Sequence, residues 1–422
     1  MADCRLESFD GTSAHIFGFV RKINLHNFQV ATSETVRDIN SRIMLNLVRK
    51  HQPVSRADLM RYSGLQRSTV SAITGQLIAN RWLKEGAVGQ LPRGRKPTFL
   101  HLNNERCGVV GVDVQPSTTT LAVAGMDGRV LAEESMPTTK DPAGFISRLT
   151  RRINDLMQTH PRHSYEGVGV SLPGRIDSSR QQLIFAPTLG WSGLDLKTHL
   201  ERGLGVSVEL ENAANACALA ELWSGQHMDG VRNLVVVTVS DDIGVGLILD
   251  GQLVRGANGM AGEFGHVPQV PGGPKCRCGN SGCWEVLASN AAAVRYYSES
   301  FAQTGRIISR SKLSRLAFGD VLRLAERGDF LAGNALNKMA CHLGEGIAML
   351  VTGLAPDMLL VVGEVTRAWA KVGLMVAEAI KRRSVFTRTT TRVLPTDPQA
   401  KPRLRGAMTL VLQKHFDAPA IG

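Results

Sequence analysis

The sequence predicts a winged helix-turn-helix domain followed by a two-lobed α/β domain that carries a structural zinc site. Three observations lead there. A helix, short helix, glycine turn and helix pattern lies in a strongly basic segment. A strand, loop, strand, Asp-Gly, strand cassette occurs twice. One histidine and three cysteines crowd between His266 and Cys283. The chain of 422 residues is long enough for two or three domains, and 43% hydrophobic with 20% charged residues is ordinary for a globular protein. No apolar run is long enough to span a bilayer, and the N-terminus lacks a basic segment followed by an apolar one. The expectation is a cytoplasmic, nucleoid-associated protein with no membrane insertion.

Residues 1–35 show no clear period and are read as an N-terminal arm. From Val36 the apolar positions Val36, Ile39, Ile43, Met44, Leu47 and Val48 follow helical spacing, and Gln52-Pro53 ends that helix. Ser55 with Asp58 three residues later makes a capping box for a short second helix, and Gly64 supplies the turn. A third helix over about 67–80 turns Val70, Ile73, Leu77 and Ile78 inward. Its outer N-terminal part then offers Gln66, Arg67, Ser68, Thr69, Ser71 and Ala72 to base edges. Trp82 to Glu85 and Thr98 to Leu102 read as the strands of a wing, with Arg93, Arg95 and Lys96 at a tip suited to a narrow minor groove. The charge supports this. Between residues 40 and 100 there are eleven Lys and Arg against Asp58 and Glu85, which places +9 of the formal +12 in one small segment. The predicted partner is double-stranded operator DNA.

Beyond Asn104 the pattern changes to strands. Cys107 to Val114, Thr119 to Met126 and Arg129 to Ser135 form a meander with an Asp127-Gly128 turn. Asn233 to Ser240, Ile243 to Leu249 and the strand after Asp250-Gly251 repeat it, which suggests a duplicated fold with a cleft between its halves. In the second half, His266, Cys276, Cys278 and Cys283 have the donor types of a closed tetrahedral Zn2+ site, and four protein ligands leave no position for a reactive water. Cys4, Cys107, Cys217 and Cys341 stand singly and are expected reduced. Glu263 and Glu285 flank the cluster without being needed by the metal, and are suited to receive hydroxyl groups.

Gly-Glu-Phe-Gly-His followed by Cys-Arg-Cys-Gly-Asn-Ser-Gly-Cys-Trp-Glu resembles the signature of the ROK family of bacterial sugar kinases and sugar-responsive repressors. The resemblance implies an actin-like (ribonuclease H-like) fold and, in the repressor branch, a winged helix at this N-terminal position. It also implies effector contacts from Asn212, Glu263, His266 and Glu285, with the Pro173-Gly174-Arg175 turn beneath the sugar. His266 would use one ring nitrogen for zinc and the other for the sugar.

The same resemblance points away from phosphoryl transfer. Where the kinases carry a glycine-rich phosphate loop, this chain has Asp113-Val114-Gln115-Pro116-Ser117, and its second loop reads Ser240-Asp241-Asp242-Ile243-Gly244. Gly363-Glu364 stands in place of a third glycine pair, and Ala213 stands where the general base Asp is expected. The function expected is therefore a sugar-responsive regulator, most simply a repressor of carbohydrate genes, with no catalytic residues and a sugar or sugar phosphate as effector. Two alternatives are a sugar kinase with an added DNA-binding domain, and a regulator sequestered by a sugar-transport protein. A homodimer or homotetramer is expected, with domains at 1–35, 36–105, 106–216 plus 394–422, and 217–393.

Overall fold

A computed structural model describes residues 32–88, 97–162, 164–177, 179–225, 230–304, 316–383, 390–397 and 399–416. The expected arm falls almost entirely outside them. Helix α1 (Ser33–His51) begins ahead of the expected Val36, because the Thr32 hydroxyl caps it by accepting from the Thr35 N–H at 3.3 Å. The boundary expected at 35/36 thus falls inside a helix. Its buried face is Met44, Leu45 and Val48, while Val36 and Ile43 are exposed. That stripe is rotated from the one the apolar spacing suggests, since α1 packs on the next two helices, the strand Thr98–Leu102 and the C-terminal helix.

Helix α2 (Arg56–Ser63) follows the expected capping box, with the Ser55 N–H donating to Asp58 at 3.0 Å and Gly64 closing the helix at φ 70°. Helix α3 (Arg67–Ala79) buries Val70, Ile73 and Leu77, leaves Ile78 half-buried, and adds Thr74, whose hydroxyl donates to the Val70 carbonyl at 2.8 Å. Strands β1 (Val54–Ser55), β2 (Leu83–Val88) and β3 (Thr98–Leu102) form a small sheet in the order β1-β3-β2.

Two five-stranded sheets follow. The first joins β4 (Cys107–Val114), β5 (Thr118–Gly125), β6 (Val130–Pro137), β7 (Ser164–Leu172) and β11 (Val208–Asn212) in the order β11-β7-β4-β5-β6. Between β7 and β11 the chain makes a separate antiparallel sheet of β8 (Arg175–Asp177), β9 (Gln182–Ala186) and β10 (Trp191–Leu194). The second large sheet joins β12 (Leu234–Val239), β13 (Ile243–Leu249), β14 (Gln252–Leu253), β15 (Met358–Val362) and β16 (Arg392–Pro395) in the order β14-β13-β12-β15-β16. Each runs as three antiparallel strands and then two parallel ones. This is the duplication that the repeated cassette predicts. The expected boundary at 393/394 cuts β16, which pairs with β15 and belongs to the second sheet. The boundary at 216/217 falls inside a helix that contacts strands of both sheets.

The helices are α4 (Pro142–Thr159), α5 (Leu196–Leu204), α6 (Ala213–Ser224), α7 (Trp284–Ala288), α8 (Asn290–Gln303), α9 (Phe318–Glu326), α10 (Phe330–Leu354), α11 (Trp369–Arg383) and α12 (Pro402–Phe416). Among the described residues, none is long and apolar enough to cross a membrane. α12 returns to the first sheet and lies between β4, β7 and α6. Its backbone comes so close that a Cβ added at Gly169 of β7 would sit 1.7 Å from the Ala407 carbonyl oxygen.

The N-terminal module does not hang on a linker. Met44, Leu59, Val70, Leu83 and Leu100 share one continuous core with Val109, Ala122 and Met126 of the first lobe and with Leu404, Met408 and Phe416 of α12. Polar contacts reinforce that joint. Arg49 donates to the Trp223 carbonyl at 2.9 Å, with its guanidinium 4.0 Å from the Trp223 ring centre. Arg42 donates to the Lys414 carbonyl at 3.1 Å and Asn46 to the Phe416 carbonyl at 2.6 Å. Side chains of α1 therefore satisfy the last carbonyls of both α6 and α12, which helix geometry leaves without partners.

Gly169→Ala forces a clash with backbone that cannot rotate away, so urea unfolding should show a loss of about 3 kcal/mol or more. Gly353→Ala, in α10 with nothing within 4 Å of the added Cβ, should be neutral or gain up to about 1 kcal/mol.

Candidate effector site and metal centre

The segment between β14 and α7 is held against β13 by glycine. At Gly262 (φ 95°) an added Cβ would lie 2.1 Å from the Val245 carbonyl oxygen, so only glycine lets the turn Glu263–His266 approach the sheet. Gly282 (φ 70°) does the same for the cysteine loop, packed on the Val270 carbonyl. Trp284 then anchors the loop from below, fully buried and donating from its indole N–H to the His342 carbonyl at 3.0 Å.

These constraints bring His266, Cys276, Cys278 and Cys283 together, with one donor atom from each lying within 4.8 Å of all the others. His266 Nδ1 is 3.6 Å from Cys276 Sγ, and Cys278 Sγ is 3.6 Å from Cys283 Sγ. A tetrahedral zinc with bonds of ~2.3 Å to sulfur and ~2.0 Å to nitrogen needs ligand separations of roughly 3.5–3.8 Å. The four residues therefore fit the ion. Burial and the neighbouring thiols push the Cys283 thiol up to about 12, and a cation at the centre is what deprotonates such a group.

The two flanking carboxylates differ sharply. Glu285, at the start of α7, is buried, with Oε1 3.2 Å from Arg277 Nε. Burial pushes its carboxyl up, against the opposing pull of Arg277. Glu263 is half-exposed, 3.8 Å from His266 Nε2. The ring thus turns Nδ1 toward Cys276 and Nε2 toward the exposed carboxylate.

Asn212 is the N-cap of α6, its Oδ1 accepting from the Asn215 N–H at 2.8 Å, which leaves its amide N–H groups for other partners. Ala213 follows at the first helical position. The residue before the cap is one that sequence reasoning misses. Glu211 is buried, accepts from Asn215 Nδ2 at 3.0 Å, and pairs with Arg255 at 2.9 Å. Arg255 lies just ahead of the Gly262 turn, so this ion pair ties the end of β11 to the loop carrying Glu263 and His266. The only sequence signal was an acid adjacent to Asn212. Gly174 (φ 100°) packs on the Phe185 carbonyl, and Arg175 begins β8, which contacts the turn Ala257–Gly259 of the second lobe.

Between the lobes lies a cavity of about 1010 Å3, lined by the three loops that interrupt the sheets: Asp113 with Gln115 and Ser117, Ser240 with Asp241 and Asp242, and Gly363 with Glu364. The six residues expected to hold the effector do not line it, but their neighbours Pro173, Thr188 and Arg277 do. Site and cavity are thus adjacent, with Arg277 shared between them. One amide in each of the first two loops is used internally: the Gln115 N–H donates to Thr118 O at 3.1 Å and the Ser240 N–H to Asp242 O at 2.9 Å.

On the N-terminal module, Gln66, Arg67, Ser68, Ser71 and Ala72 are exposed and Thr69 is half-buried at the start of α3. Arg93, Arg95 and Lys96 lie outside the described residues. Several of the basic residues counted in this segment are already engaged. Arg56 pairs with Glu85 at 2.9 Å, Lys84 with Glu105 at 3.2 Å, and Arg49 faces the effector domain.

A family model described as ROK family matches residues 109–414. The xylose repressor of Bacillus subtilis (strain 168) is 30% identical over 334 residues, covering 78% of this chain and 83% of its own. A solved structure of a ROK family transcriptional regulator, described as a homologue of the E. coli MLC protein, superposes with TM-score 0.76 at 25% identity, covering 90% of this chain and 98% of its own. A ROK family glucokinase from Streptomyces griseus in complex with glucose and AMPPNP gives TM-score 0.63 at 27% identity, over 72% and 98%. Both kinase and repressor branches therefore share the two-lobed fold, as the sequence resemblance implies.

The folded chain should carry one zinc per protomer by atomic absorption. Cys278→Ser or prolonged chelation should remove the metal and lower Tm by at least several degrees, with recovery on adding Zn2+, because the ion ties four points of one loop.

Proposed function

The chain belongs to the ROK family, and from that premise we propose that it is a sugar-responsive transcriptional repressor whose kinase-type domain serves as sensor. The observation that carries this reading is the single hydrophobic core shared by the helix-turn-helix module and the first lobe. A DNA-reading module fused in this way cannot move independently of the effector domain. The similarity to a xylose repressor along most of the chain supports the same conclusion.

In this reading α3 enters the major groove and Arg67, Ser68, Ser71 and Ala72 meet base edges, with the wing tip at the minor groove. Two copies of the chain place their α3 helices on half-sites about 34–36 Å apart or a multiple of that. The effector is held by Glu263, Glu285, His266 Nε2 and the free amide of Asn212, groups that form paired hydrogen bonds with adjacent hydroxyls. His266, Cys276, Cys278 and Cys283 would hold a zinc ion that fixes this loop and supplies no chemistry of its own. The domain acts without catalysis. Ala213 offers a methyl group where a proton acceptor would stand, and two interlobe loops use an amide, that of Gln115 or Ser240, on themselves.

The signal travels along two helices. α6 begins at Asn212 beside the effector site, and α12 begins with Pro402 and Arg403 in the wall of the cavity. They run about 18 and 22 Å and both end on α1, through Trp223, Lys414 and Phe416. A change in lobe angle therefore reaches α1 as rigid-body motion, and α1 packs directly on α3.

Anisotropy titrations on DNA from upstream of the chain's own gene test this. Arg67→Ala should weaken binding by about 1–3 kcal/mol. Glu263→Ala should bind DNA normally but no longer respond to sugar. ATP consumption dependent on a sugar would contradict the reading. Arg49→Ala should keep both binding activities and shrink the coupling between them about fivefold or more, while a purely structural role would lower stability and leave the coupling intact.

A further inference from the structure

This inference rests on the reading of the cleft as an effector site and concerns which class of sugar it admits. The cavity wall carries the carboxylates of Asp113, Asp241, Asp242, Glu364 and Asp397. Its three cations are already answered. Arg277 is 3.2 Å from Glu285, and Lys401 pairs with Glu133, neither of those glutamates facing the cavity. Burial pulls Arg403 down, and it is held charged first by the field of Asp113, then by Cys217 and Asp242. Asp241 and Asp397 have no ion-pair partner among the described residues, and Asp242 takes only the Ser240 hydroxyl and the more distant field of Arg403. The cavity wall therefore carries more carboxylates than cations, and Arg277, the residue it shares with the effector site, also donates to the Asp241 carbonyl at 3.2 Å.

The hydrogen-bonding groups point the same way. Asp113 and Asn290, 5% and 7% exposed, each leave one buried oxygen without a donor, and the Thr188 hydroxyl is also unpartnered. All three line the cavity. Three backbone donors that could meet a phosphate are already used, the Gln115 N–H on the Thr118 carbonyl, the Ser240 N–H on the Asp242 carbonyl and the Asn290 N–H on the Ser240 carbonyl at 2.7 Å. A wall of unsatisfied acceptors wants hydroxyl groups. It repels a second anion, and does so more strongly in a partly desolvated cleft than in water.

We propose that the effector is an unphosphorylated sugar, and that Asp241 and Asp242 are the residues that exclude its phosphate ester. The hydroxyl end of the sugar faces the interlobe cavity, where Asp113 and Asn290 accept from it, and a phosphate placed on that end would face the two aspartates.

Isothermal titration calorimetry of the zinc-loaded chain with matched pairs tests this: xylose and xylose 5-phosphate, glucose and glucose 6-phosphate, N-acetylglucosamine and its 6-phosphate. The neutral member of one pair should bind at least about tenfold tighter than its ester. In the Asp241→Asn, Asp242→Asn double variant that ratio should fall to about threefold or less, through a gain in ester affinity. Equal or tighter binding of an ester by the unaltered chain overturns the charge selection and leaves the sugar-responsive reading standing. A preference that persists undiminished in the double variant overturns the assignment to these aspartates. Absence of binding by every pair, with Zn2+ content and fold verified, overturns both this inference and the effector reading beneath it.

Discussion

The structure depends on how two helices end. α6 and α12 lie side by side against the first sheet, pressed so close that Gly169 and Gly406 admit no side chain. In their last turns the Trp223, Lys414 and Phe416 carbonyls, which the helices themselves leave open, accept from Arg49, Arg42 and Asn46 of α1. Capping by a neighbouring helix makes the N-terminal module part of the first lobe. Both helices start at the opposite end, near Asn212 and the interlobe cavity, so the proposed effector groups and the N-terminal module are joined by the same rigid bodies. Close packing is what makes such an arrangement transmit displacement, since a core at crystal density moves by switching arrangements more readily than by deforming.

The second lobe solves a different problem. A half-exposed carboxylate and a buried one must be held a fixed distance apart on a loop that has little regular structure. The glycines at 262 and 282 let the loop approach backbone, Trp284 pins it to the core, and the His266, Cys276, Cys278 and Cys283 cluster closes it. The Glu211 to Arg255 ion pair carries this order across to α6. Cys/His cluster, ion pair and helix cap thus form one chain of contacts from the cysteine loop to the first lobe.

Much of this was legible in the residues. Ser55, Asp58 and Gly64 mark their helix ends because capping is local chemistry, and the two Asp-Gly turns mark hairpins for the same reason. Metal-ligand spacing survives in sequence because the donors share one loop. What could not be read depended on contacts between distant segments. Arg49 counts as one more basic residue near a DNA-binding helix until Trp223 and Phe416 are seen against it. Leu45 replaces Ile43 in the buried stripe, in a core that includes residues of α12 more than 350 residues away. The boundaries at 216/217 and 393/394 fall inside α6 and β16, elements whose membership is decided by pairing across the fold. The interlobe cavity is likewise assembled from three loops far apart in sequence.

Reciprocity offers the most direct test of the central claim that effector and operator act on one coupled body. If the sugar weakens operator binding by some factor, the operator must weaken sugar binding by the same factor. Calorimetric titration of the effector into the free protein and into the protein saturated with operator, at one salt concentration, measures this without reference to any single contact. The account predicts a loss of sugar affinity of about tenfold or more on the operator complex, equal to the factor by which sugar weakens the operator. Identical sugar affinities in the two titrations would contradict it.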